Sequence, residues 1–77
     1  MAANISKAFG KAVRLRRESL GLSQEALAEK AGIHRTYVSS IELGKVRVGL
    51  EVAKKVANGL GVLLSELIGE AEGKPPK

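Results

Sequence analysis

The chain has 77 residues, no cysteine, and thirteen lysines and arginines against eight acids, for a net charge of +5 and a pI near 9.9. A domain of this length buries a modest core, so regular helical packing or a second copy would help it; the missing cysteines exclude a disulfide framework and a thiolate zinc site. No apolar run approaches a membrane span and no hydrophobic signal core opens the chain, so a cytoplasmic protein with no membrane partner is expected.

All eight acids are glutamate, both prolines lie near the C-terminus, and Ala, Leu, Glu, Lys and Arg are abundant, a composition that favours helices. Residues 1–6 read as a flexible start, 7–70 as the domain and 71–77, with Pro75-Pro76, as a disordered tail. From Ile5 to Leu20, the apolar residues Ile5, Phe9, Val13 and Leu20, with Ala8 and Ala12, recur at helical spacing. Lys7, Lys11, Arg14 and Arg17 fill the other face, and Gly21 stops the helix.

Ser23 is a good N-cap for a second helix, Gln24 to Ala31, with Leu27, Ala28 and Ala31 inward. Gly32 closes it and Ile33 fills the corner. A third helix runs from Arg35 to Leu43, capped by Gly44, and Lys45 to Gly49 form a basic loop. The fourth, Leu50 to Leu60, turns Leu50, Ala53, Val56, Ala57 and Leu60 inward, with Gly59 weakening its last turn. A short fifth, Leu64 to Glu70, carries Leu64, Leu67 and Ile68. No strand alternation and no repeat is present, so the predicted fold is all-α, a compact five-helix bundle.

The second and third helices are joined by Ala31-Gly32-Ile33-His34, which matches the helix-turn-helix pattern. On a wheel of about 100° per residue, Val38 and Ile41 of the third helix point inward, flanked by Tyr37 and Glu42. Arg35, Thr36, Ser39, Ser40 and Leu43 point away. A merely solvated face usually carries long Glu and Lys side chains; this one carries short hydrogen-bonding groups and an arginine near the N-terminus, where a recognition helix reaches base edges. Arginine pairs bidentately with guanine, serine and threonine donate or accept, and the threonine methyl suits the thymine methyl.

From Phe9 to Leu67 the chain resembles the Xre helix-turn-helix family, which includes the lambdoid phage repressors. The resemblance rests on Arg17, Gly21-Leu22-Ser23-Gln24-Glu25, Leu27-Ala28, Ala31-Gly32, Val38-Ser39, Ile41-Glu42, Gly44, Leu60-Gly61-Val62 and Leu67. The run His34-Arg35-Thr36-Tyr37-Val38-Ser39 is similar to small regulators of the restriction–modification controller type. The resemblance implies that Arg35, Thr36, Ser39 and Ser40 read bases. It implies that Ser23 and Gln24, with backbone N–H groups at the start of the second helix, bind a phosphate. Lys45 and Arg47 would grip the DNA backbone, and Arg17 and Glu42 would form a structural pair between the first and third helices.

The sequence departs from the family pattern at Val46-Arg47, where arginine-asparagine is frequent, and at Gly49 and Leu63, where serine caps are frequent. Leu63, with Leu64, Leu67 and Val52, is read as an apolar dimer surface. Tyr37 is read as core, as a phosphate ligand through its hydroxyl, or as both. His34 is the single histidine, so capping or packing is expected rather than metal binding, and no cofactor or small-molecule ligand is evident. Lys7, Lys11, Arg14 and Arg16 read as a solvated face.

The expected function is a sequence-specific, nucleoid-associated transcription regulator that binds an inverted repeat of double-stranded DNA as a homodimer. RNA polymerase is a further candidate partner, though no patch in the sequence marks its contact. Catalysis finds no support: His34 has no evident orienting partner, and Gly59-Leu60-Gly61 lacks the preceding strand of a phosphate-binding loop. The alternative is a protein-interaction adaptor of the same fold, which the lack of a large apolar anchor on the polar face argues against.

Overall fold

Asn4 opens the first helix by accepting a hydrogen bond from the Lys7 backbone N–H at 3.1 Å through its side-chain oxygen. The computed structural model describes residues 4–73, and every element among them is a helix. These are α1 (Ile5–Ser19), α2 (Gln24–Ala31), α3 (Arg35–Glu42), α4 (Leu50–Leu60) and α5 (Leu64–Ala71). Ile5 and Ser6 are therefore helical rather than part of a flexible start, and Ala71 belongs to α5 rather than to a tail. Residues 1–3 and 74–77, the remainder of those two predicted segments, lie outside the described residues.

The core sits where the middles of the helices cross. α1 packs against α3 on one side and α5 on the other, while α2 lies between α3 and α4. Val13, Leu27, Val38, Ile41, Val56 and Leu67 are essentially solvent-free at the centre. Three residues expected to face inward do not: Ile5, Leu20 and Leu50 are exposed, Leu50 to 77%. Each lies at a helix end, so its angular phase is right but its position along the axis carries it past the core. Helical periodicity reports only the first of these.

Two helix-interior glycines mark close approaches. A Cβ on Gly10 would stand 1.9 Å from the Ile41 carbonyl oxygen, so α1 and α3 cross nearly backbone to backbone. A Cβ on Gly59 would meet Leu27 Cδ1 at 3.0 Å and the Ala31 backbone nitrogen at 3.2 Å, where α4 lies on α2. Gly59 therefore secures a packing contact as well as loosening its own helix.

Candidate nucleic-acid interface

The turn between α2 and α3 is built by Gly32, whose left-handed φ of 72° lets the chain reverse without a Cβ penalty. The following Ile33 N–H donates to the Ala28 carbonyl at 3.0 Å, and Ile33 packs half-buried against the core. Ser23 caps α2, its Oγ accepting from the Ala26 N–H at 3.0 Å. His34 caps α3, its Nδ1 accepting from the Thr36 N–H at 3.1 Å.

Burial of Val38 and Ile41 sets the rotation of α3. It leaves Arg35 and Thr36 exposed and Ser39 and Ser40 half-buried on the outer side. Arg35, Thr36 and Ser39 share one open hollow with Ser23, Gln24 and Arg17, where the start of α2 meets the start of α3. Two helix N-termini and the guanidinium groups of Arg17 and Arg35 thus border the same concavity, with Glu25 as its one carboxylate, an arrangement that on balance suits anionic oxygens. Ser40 lies outside that hollow.

Behind the hollow, Glu42 joins three helices. Its carboxylate accepts from Arg17 Nε at 2.6 Å, from Arg17 Nη2 at 3.1 Å and from Gln24 Nε2 at 2.9 Å. Arg17 Nη1 also donates to the Leu22 carbonyl at 2.7 Å, fixing the corner between α1 and α2. The Glu42 side chain is only 3% exposed. Hydrogen bonding to it pushes the Arg17 guanidinium further up its already basic range, against the opposing effect of burial. Gln24 keeps one amide hydrogen for an outside acceptor after bonding Glu42.

Past α3, the Gly44 N–H donates to the Ile41 carbonyl and the Lys45 N–H to the Ser40 carbonyl, each at 3.0 Å, with Gly44 at a φ of 72°. This is a Schellman closure. Lys45 and Arg47 then stand exposed while Val46 and Val48 alternate with them and pack on the core. Tyr37 is half-buried and packed against the core as well.

Other expectations need correction. Leu67 is fully buried within this one chain, wedged among the helices, so it presents nothing to a dimer partner. Leu64 and Val52 are half-buried and Leu63 is 63% exposed, which leaves those three from the predicted apolar surface. Leu63 has no acceptor with which to cap α5, yet its backbone N–H donates to Glu66 Oε1 at 3.0 Å, the return half of a capping box. Arg16 is not simply solvated: it pairs with Glu70, tying α1 to α5. Among the described residues, no helix is long and apolar enough to cross a membrane.

Comparison with known proteins places this geometry. The helix-turn-helix family profile matches residues 13–67. The chain is 48% identical over 65 residues to the control protein C.MunI of a Mycoplasma species, covering 83% of this chain and 88% of that one. It is 41% identical over 69 residues to the control protein C.BamHI of Bacillus amyloliquefaciens, covering 88% and 85%. Its fold superposes with a TM-score of 0.78 on the restriction–modification controller protein C.AhdI of Aeromonas hydrophila, at 39% identity over 80% of this chain and 94% of that one. The matched segment spans the turn and most of the helical bundle, and the chain belongs to the Xre-like helix-turn-helix family of DNA-binding transcription regulators.

Proposed function

We propose that the protein binds an inverted-repeat operator as a homodimer, each protomer laying α3 in the major groove. The observation that carries this reading is the hollow shared by the N-termini of α2 and α3, with Arg35 and Thr36 exposed on its rim and Ser39 beside them. In this arrangement Arg35, Thr36, Ser39 and Ser40 meet base edges. Ser23, Gln24 and the Tyr37 hydroxyl, with Lys45 and Arg47 further along, hold the phosphates and fix the register. Leu63 and Leu64 supply the apolar part of the contact between protomers, and paired recognition helices lie about 34 Å apart. Where the protein activates transcription, RNA polymerase is the additional partner.

Selection of bound sites from a random duplex pool tests the reading, with Arg35→Ala run in parallel. The wild-type protein is expected to enrich an inverted repeat. Arg35→Ala is expected to relax one position per half-site, at a cost of about 1–3 kcal/mol each. Salt-sensitive binding with no enriched sequence would overturn the groove reading and favour an adaptor role.

A further inference from the structure

The N-cap of α3 holds a feature that neither helix capping nor phosphate binding accounts for. His34 Nδ1 lies 3.1 Å from the Thr36 backbone nitrogen and 2.8 Å from Thr36 Oγ1. The backbone N–H can only donate, so Nδ1 must be the unprotonated, accepting nitrogen and the ring proton sits on Nε2. A hydroxyl oxygen 2.8 Å from that same lone pair would be repelled unless its own hydrogen pointed at the ring. The Thr36 hydroxyl is therefore a donor to His34, and only its lone pairs are left to face outward.

We infer that His34 is a specificity-determining positioning residue: by taking the Thr36 hydroxyl proton, it makes Thr36 an acceptor-only reader at the DNA surface. This rests on the placement of α3 in the major groove proposed above. An acceptor-only threonine selects the bases that show an exocyclic amine there, adenine through N6 or cytosine through N4. Guanine and thymine offer it only acceptors at the corresponding edge.

Sites would be selected with the wild-type protein, His34→Gly and Thr36→Val. Glycine is a tolerated N-cap that carries no side-chain acceptor, and valine keeps the shape of threonine without the hydroxyl. Thr36→Val should relax one position per half-site. At that position the wild-type protein should favour adenine or cytosine, and His34→Gly should lose the preference by about fivefold, the worth of one neutral hydrogen bond. If Thr36→Val relaxes a position but His34→Gly keeps the wild-type preference there, the role of His34 is overturned and the groove reading stands. If Thr36→Val relaxes no position, base reading by Thr36 itself fails.

Discussion

The Glu42 carboxylate is nearly solvent-free and receives hydrogen bonds from side chains of α1 and α2 while belonging to α3. A buried carboxylate keeps its charge cheaply only while its cation is in place; removing one partner of such a pair costs about 3–5 kcal/mol. Arg17→Met is therefore expected to lower stability by about 3 kcal/mol, a large share of what a domain of this size possesses. The double variant Arg17→Met, Glu42→Met should recover part of the loss, because two apolar groups leave no unpaired charge. Urea unfolding at neutral pH distinguishes the cases, and equal midpoints for single and double variants would show that the pair contributes packing alone. Hydrogen bonding to Glu42 raises the Arg17 guanidinium above the ordinary arginine range, so while the Glu42 carboxylate is ionised this contribution is complete below that range and is lost only as the pH rises through it.

At the scale of elements, the crossing of α1 over α3 sets where the outer face of α3 stands. Gly10 permits that crossing, with a Cβ there falling 1.9 Å from the Ile41 carbonyl oxygen, which is backbone and cannot turn aside. Gly10→Ala should destabilise by about 1–3 kcal/mol despite the helix propensity alanine brings. Gly69, inside α5 with no atom within 4 Å of its would-be Cβ, is the opposite case, and Gly69→Ala should stabilise by about 0.5–1 kcal/mol. Thermal unfolding of the two variants checks both signs, and a stabilised Gly10→Ala would mean that α1 and α3 can separate without loss. Nothing in the sequence distinguishes these two glycines, since each reads only as a weak spot in a helix. The five helices were legible because Ser23 and the glycines at their ends punctuate a plain helical period. Which glycine is also a contact depends on residues 31 positions away, as for Gly10 and Ile41, and no local pattern carries that.

For the molecule as a whole, a net charge of +5 on so small a domain predicts binding that weakens steeply with salt, through release of counterions from phosphates. Lys45→Ala should weaken all duplexes alike and flatten the slope of log affinity against log salt by about one unit. Binding isotherms between about 50 and 200 mM salt measure it, and an unchanged slope would remove Lys45 from the backbone contacts. The outward set Arg35, Thr36, Ser39 and Ser40 was readable because helical phase alone separates it from Val38 and Ile41. The interface between protomers was less readable: Leu67 shares the phase of a surface leucine but closes the core, and only the packing of α5 on α1 shows which.

The loop after α3 has one further consequence. Its valines, Val46 and Val48, pack half-buried against the core while Lys45 and Arg47, on either side of Val46, stand exposed. A floppy basic loop would lose backbone and side-chain freedom on meeting DNA, at about 0.5–1.5 kcal/mol for each side chain immobilised. Here the backbone is already ordered by folding, so association is left with the restriction of two side-chain tips. The loop is preorganised, so the grip on the duplex proposed for it would be a property of the hydrophobic core as much as of its charges.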